Sequence, residues 1–219
     1  GNWCTDPEQC LERSSTFLGS SATWPERPAN STWAPGWDIG ADGLMSATDG
    51  PLRDWSAVWV MYCDGSSFTS HREAPLLVNQ TPVHMRGRKV LDAVLDDLVT
   101  THGLAQAETV LLSGTSSGGM AVFYHAGRVR AKLPATVRLL AAPDAGLFPD
   151  AALPPGRAAF RDAIKGLVPF FNISAEVGGG GEYPGTDAGC VEQHAAANET
   201  WRCLYAEYAL PHIAGVPFF

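Results

Sequence analysis

The chain has 219 residues, and 15 basic against 23 acidic side chains give a formal net charge of -8. That imbalance argues against a nucleic-acid partner, which asks for a basic face, and is read as simple solubility. With 45% apolar and 17% charged residues the chain is globular rather than disordered; its length suits one domain, residues 1–219, that buries roughly 70% of its unfolded surface without needing disulfides.

In chain order, Leu11 to Leu18 reads as a short helix closed by Gly19. Residues 21–54 are rich in Trp, Pro, Gly and Asn and read as a long irregular loop. Trp24, Trp33, Trp37 and Trp55 lie in or beside it, where tryptophans either stack on sugar rings or pin the loop to the body; the pinning role is favoured. Ala57 to Tyr62 is an unbroken apolar, β-prone run and predicts a buried strand, followed by the turn-rich Cys63-Asp-Gly-Ser-Ser-Phe-Thr69. Over 86–102, Val90, Leu91, Val94, Leu95 and Leu98 fall on one helical face, and Gly103 suits the position after the helix.

Thr109 to Ser113 predicts a strand, Gly118 to about Lys132 a helix, and Val137 to Ala142 another strand. Residues 157–171 suggest a helix. Gly178 to Gly181 predicts a flexible loop, not a phosphate-binding one, because no Gly-Lys-Ser/Thr follows. Residues 190–210 predict a helix with Leu204, Tyr205, Tyr208 and Ala209 as its apolar stripe, and Gly215 to Phe219 reads as the opening of a strand. No apolar run approaches the ~18 residues of a membrane span. Gly1, with no initiator methionine and no visible signal peptide, reads as a processed or trimmed start.

The five cysteines are Cys4, Cys10, Cys63, Cys190 and Cys203, and Asn-x-Ser/Thr sequons occur at Asn30, Asn79, Asn172 and Asn198. Together they lean toward an oxidising, secretory compartment. The expected bridges are Cys4–Cys10 and Cys190–Cys203, a loop of ~15 residues closed in this way being worth about 3 kcal/mol on the chain-entropy model. Cys63 is left over. No C-x-x-C pair exists, so a zinc site is not expected.

Between the predicted strand and helix, Gly114-Thr-Ser-Ser-Gly118 fits G-x-S-x-G, the nucleophile elbow of α/β-hydrolases. Small neighbours let the chain reverse tightly and turn the Ser116 hydroxyl out of the sheet, while the Ser117 N–H opens a helix, where it can bind a developing oxyanion. An ordinary strand-to-helix turn with a buried hydroxyl fits the same letters. The alternation of strands and helices predicts a mainly parallel α/β sheet. Asp64, Ser116 and Asp144 then share the rim at its strand ends, where ligands sit.

The order and spacing of Asn2-Trp-Cys4 with Cys10, Tyr62-Cys-Asp-Gly-Ser-Ser-Phe-Thr69, Leu112-Ser-Gly-Thr-Ser-Ser-Gly-Gly119, Asp144-Ala-Gly-Leu-Phe148 and Tyr208-Ala-Leu-Pro211 resemble the pectin acetylesterase family and, more distantly, the lipid-removing Notum carboxylesterases. The resemblance covers nearly the whole chain. It implies an α/β-hydrolase-like fold and a Ser-Asp-His triad that deacetylates cell-wall pectin outside the cell, without metal or organic cofactor. Ser116 is then the nucleophile, and the backbone N–H groups of Ser117 and of the Asn2-Trp3 turn are the oxyanion donors. The family's acid and histidine fall beyond Phe219, and a cysteine upstream of residue 1 is the implied partner of Cys63, so the chain reads as a fragment truncated at both ends. Its own later candidates, Asp144, Asp150, His194 and His212, are read as rim, surface or packing residues. The expected substrate is an acetylated polysaccharide. The alternatives are a Notum-like deacylase of protein-linked lipid and a catalytically dead carbohydrate-binding remnant.

Overall fold

The computed structural model describes residues 3–23, 46, 48–150, 159–173 and 185–219. Trp24, Trp33, Trp37, Asn30 and the Gly178–Gly181 run lie outside the described residues.

Helix α3 (Ser117–Lys132) is the centre of the structure. It is buried along almost every face, from Ser117 through Met120, Phe123 and Ala126 to Val129. Its apolar side chains face two ways, and the helix separates two cores. On one side Met120, Phe123 and Tyr124 pack with Val78, Val83, Ile164, Phe171 and Tyr205. On the other, Val122, Ala126 and Val129 pack with Leu91, Leu95, Leu139, Ala141 and Val216. Each fully buried Phe or Leu in such a layer contributes roughly 1.5–3 kcal/mol.

Strand β3 (Thr109–Thr115) feeds α3 and pairs in parallel with β4 (Arg138–Asp144), from Thr109 opposite Arg138 to Thr115 opposite Asp144. The other edge of β4 receives Phe218. A parallel bridge joins Ala141 to Phe218, and the Phe218 ring stacks on Phe123 at 5.5 Å. This isolated bridge falls in the run, Gly215 to Phe219, that reads as the opening of a strand. Helix α2 (Gly87–Thr100) ends before Gly103 in the left-handed region at φ 76. Its stripe turns Leu91 and Leu95 inward, while Val90 is exposed. Helix α4 (Ala159–Phe171) lies in the span expected to be helical.

Three expectations are corrected. Residues 57–62 form no strand: Val58 and Trp59 stand exposed, while Val60 and Tyr62 lean on the second core. Apolar, β-branched residues favour a strand, but a strand exists only where another backbone completes its ladder. The predicted helix from Leu11 is α1 (Pro7–Ser14), begun earlier by Asp6, whose carboxylate accepts the Gln9 N–H at 2.8 Å, with proline in the first turn.

The predicted helix over 190–210 is broken into α5 (Ala188–Ala195), a 3-10 turn at Thr200–Leu204 and α6 (Ala206–Ala209). The cause is the Cys190–Cys203 bridge, which holds its Cα atoms 5.8 Å apart. A continuous helix would separate them by about 20 Å at ~1.5 Å per residue. The second bridge, Cys4–Cys10, closes α1 onto its lead-in, and Cys63 is a free thiol. The structure adds one element the sequence reading passed over, a hairpin of β1 (Leu76–Val78) and β2 (Thr81–Val83). Its two-residue turn, Asn79-Gln80, has both residues at positive φ, as a type I′ turn requires.

Candidate active site

Ser116 sits between β3 and α3 at φ 57 and ψ -116, a region that costs a non-glycine residue about 1–3 kcal/mol and persists only where the surroundings enforce it. Its N–H donates to the Asp144 carbonyl at 2.9 Å, tying it to the end of β4, and its own carbonyl accepts the Met120 N–H at 2.9 Å, the first bond of α3. The residue is exposed, and its hydroxyl has no hydrogen-bond partner among the described residues. The reversal is tight enough that a Cβ on Gly114 would lie 2.6 Å from the Gly118 carbonyl. The close approach of α3 to the end of β4 falls at Gly119, whose Cβ would lie 2.6 Å from Asp144 O, while nothing crowds Gly118.

Asp144 stands beside this elbow. Its carboxylate accepts the Thr115 hydroxyl at 2.9 Å and its carbonyl holds Ser116. Asp64 is turned inward instead. Its carboxylate accepts the Ser66 hydroxyl, the Phe68 N–H at 3.1 Å and the Ser70 hydroxyl at 3.0 Å. Burial pushes the Asp64 carboxyl up, and these hydrogen bonds oppose that shift. The caged carboxylate shapes the loop over residues 64–70, in which Ser67 and Phe68 take φ 53 and 61. Ser70 in turn accepts the Gly87 N–H at 2.8 Å, satisfying the start of α2 from a distance.

The loop reaches the elbow through Ser67. Its hydroxyl donates to the Ser117 carbonyl at 2.7 Å and accepts the Trp3 indole N–H at 2.6 Å. Trp3 lies edge-on to Phe171 and Tyr124, with centroids at 5.8 and 6.4 Å. The Ser67 carbonyl meets His125 Nε2 at 2.9 Å. His125 is buried, with its pKa pushed down to about 3, first by burial and then by the Arg128 charge. The neutral ring therefore donates from Nε2 to Ser67. Neither Ser67 nor His125 stands out in the sequence; the one available signal is the run of hydroxyls after Asp64-Gly65.

All six histidines are in the described region, and none hydrogen-bonds to Ser116. His71 and His125 are buried. His102 pairs with Asp97 at 3.3 Å, and His84 is exposed. His194 packs edge-on to Tyr208 with centroids at 5.8 Å, and His212 lies against Gly189. Asp150 is engaged by Arg161 at 2.6 Å and by the Tyr208 hydroxyl at 3.1 Å. Among the described residues no cluster of His, Cys, Asp and Glu has the makings of a metal site, and no helix is long and apolar enough to cross a membrane. The arrangement offers an exposed hydroxyl on a strained turn at a helix N-terminus.

A pectinacetylesterase family model matches residues 1–219. Pectin acetylesterase 11 of Arabidopsis thaliana is 35% identical over 154 residues, covering 68% of this chain and 35% of that protein. Pectin acetylesterase 7 of the same plant is 36% identical over 151 residues, with 68% and 35% covered. The palmitoleoyl-protein carboxylesterase notum2 of Xenopus laevis is 27% identical over 223 residues, covering 94% of this chain and 40% of that protein. The solved structure of the Wnt deacylase Notum from Drosophila matches with a TM-score of 0.75 at 22% identity, over 100% of this chain and 59% of its own; the shared fold is α/β-hydrolase-like. The chain thus spans about a third of the length of the two plant relatives, 35% of each. On the match across all its residues, the chain belongs to the pectinacetylesterase family.

Proposed function

We propose that Ser116 is the nucleophile of a secreted serine carboxylesterase that removes acetyl esters from cell-wall pectin. The observation that carries this reading is the exposed, unpartnered Ser116 hydroxyl on a strained strand-to-helix turn in a chain of this family. Ser116 Oγ attacks the acetyl carbonyl, the N–H groups of Ser117 and Trp3 bind the oxyanion, and water hydrolyses the acetyl-enzyme; the route uses no metal or organic cofactor. The base is a histidine other than the six in residues 1–219, since each of those is packed, paired or remote from hydrogen-bonding reach of Ser116. Secretion is supported by the two disulfides.

Losing the base alone costs on the order of 10⁶ in rate in the well-studied protease case, leaving roughly 10³–10⁴ over water from oxyanion binding. The test compares p-nitrophenyl acetate hydrolysis by residues 1–219, by the same chain with Ser116→Ala, and by the protein expressed from its complete reading frame with and without Ser116→Ala. The expected result is that the first two match, the complete protein is far faster, and its Ser116→Ala variant is inactive. Full activity in residues 1–219 that Ser116→Ala abolishes overturns the account of the base and returns His194 or His212 as candidates. Likeness to Notum across the whole chain favours a second reading, a deacylase of protein-linked lipid. Faster release of a long acyl chain than of acetate selects it. A complete protein that binds pectin but hydrolyses neither ester selects the inactive carbohydrate-binding reading.

A further inference from the structure

Ser67 has no role in the steps above, yet it is the side chain that touches both segments bearing the proposed oxyanion donors. We infer that Ser67 is a positioning residue that sets the Trp3 donor against the Ser117 donor, an inference that rests on the proposed function. Its single hydroxyl uses both of its capacities. The O–H donates to the Ser117 carbonyl at 2.7 Å, in the first turn of α3, and a lone pair accepts the Trp3 indole N–H at 2.6 Å. The residue is fully buried and its backbone is at φ 53. That conformation is the one in which glycine is cheapest, and Gly65 stands two positions away. A serine held there in spite of its Cβ implies that the hydroxyl is what the position needs. The carbonyl is fixed as well, by the neutral His125 ring at 2.9 Å, so Ser67 cannot drift without breaking bonds to the Trp3 segment and to two points on α3. Oxyanion donors work only within about 2.7–3.1 Å of the developing charge, and a displacement of ~1 Å costs on the order of 10²-fold in rate. The Trp3 segment precedes α1, and α3 follows β3, so their relative placement depends on what bridges them.

The test uses the protein from its complete reading frame and compares Ser67→Ala, Trp3→Phe, the double variant and Ser116→Ala. Trp3→Phe keeps the backbone donor and an aromatic ring while removing the indole N–H, so it serves if Ser67→Ala does not fold. On p-nitrophenyl acetate, each single variant is expected to lower kcat about 10–100-fold with KM within about twofold, the pattern of an interaction made in the transition state. Affinity for a methylphosphonate that mimics the tetrahedral oxyanion is expected to fall by the same factor. The double variant is expected to be no slower than the slower single one, because the bond that Trp3→Phe removes is one of the two that Ser67→Ala removes. A kcat within about twofold of the parent, a change in KM alone, or multiplicative effects in the double variant overturns the inference while the proposed function stands. Activity retained in Ser116→Ala overturns both.

Discussion

The steric demand of the elbow is met in part at Gly119, and its consequence can be worked from the structure. A Cβ there would lie 2.6 Å from Asp144 O, 2.7 Å from Gly146 Cα and 2.9 Å from Gly146 N. Carbon contacts are comfortable near 3.5–4.0 Å, so all three are short by up to about 1 Å. The obstacles are backbone atoms, so no rotamer change relieves them. The first turn of α3 must instead back away from the end of β4, or Gly146 must give. The carbonyl that would be struck is the same Asp144 O that accepts the Ser116 N–H, so the shift reaches Ser116 directly. Overpacking against yielding side chains costs about 1–3 kcal/mol; against backbone on both sides we expect the upper end for Gly119→Ala, about 3 kcal/mol, or a Tm lower by about 6–12 °C for a chain of this size. Gly118→Ala is the control. Nothing lies within 4 Å of its Cβ position, and alanine in a helix is better than glycine by up to about 1 kcal/mol. Urea unfolding followed by circular dichroism measures both. The reasoning fails if Gly119→Ala unfolds within about 0.5 kcal/mol of the parent, the scatter of an ordinary surface change, or if Gly118→Ala proves the more damaging.

Removing the Cys190–Cys203 bridge by a double serine substitution is expected to cost about 3 kcal/mol on the chain-entropy model; equal melting temperatures for parent and variant would contradict this. His125 predicts a pH dependence. Its folded pKa, near 3, is depressed below the unfolded value of about 6.5, so the unfolded chain takes up the proton first. Its contribution is therefore fully present above about pH 6.5 and is lost as pH falls toward 3, by up to ~1.4 kcal/mol per unit. His125→Gln should flatten the stability-pH slope between those limits, and an unchanged slope removes His125 as its source. The sequons should divide by geometry. Asn79 and Asn198 are exposed at turns, whereas the half-buried Asn172 donates from Nδ2 to the His71 carbonyl at 2.8 Å. Secretion from a eukaryotic host followed by glycosidase treatment and peptide mass spectrometry should find glycan at the first two, and occupancy at Asn172 would refute the division.

What was legible in the sequence was what neighbouring residues decide among themselves. The run into Ser116 and the helix after it carry their own periodicity, and α2 carries its stripe and its terminating glycine. The status of 57–62 was not legible, because a strand needs a partner that its own residues do not name. Two expectations for the C-terminal third excluded one another: a helix through 190–210 cannot also bring Cys190 and Cys203 within bridging distance. The bridge decides between them, because a covalent bond outweighs a helical preference of a few tenths of a kcal/mol per residue. The hairpin was missed although Asn79-Gln80 between Leu-Leu-Val and Thr-Pro-Val carries a turn signal, weaker than Asn-Gly. Around the site the resemblance drew attention to Asp64 and its hydroxyl-rich neighbours. Which hydroxyl faces the carboxylate and which reaches α3 depends on a contact between Ser67 and Ser117, 50 residues apart, which no local pattern encodes.

The distribution of backbone strain separates turn chemistry from site chemistry. Among the described residues, the non-glycine residues at positive φ are Ser67, Phe68, Asn79, Gln80, Ser116, Ala145, Asn172 and Asn198. Three are asparagines at turns, where the short amide tolerates the conformation, and Gln80 shares the hairpin turn. The rest gather at one place. Ser116 hangs on the carbonyl of Asp144, the residue before Ala145, and Ser67 holds the residue after Ser116. Four such residues, at roughly 1–3 kcal/mol each, store about 4–12 kcal/mol, a sum comparable with the 5–15 kcal/mol net stability of a whole domain. The strain persists because the Asp64 cage, the His125 bond, the Trp3–Ser67–Ser117 link and the contact of Gly119 with Gly146 leave the backbone no alternative. That over-determination fixes the backbone at Ser116 and the first N–H of α3, the preorganisation that the proposed acyl transfer would use.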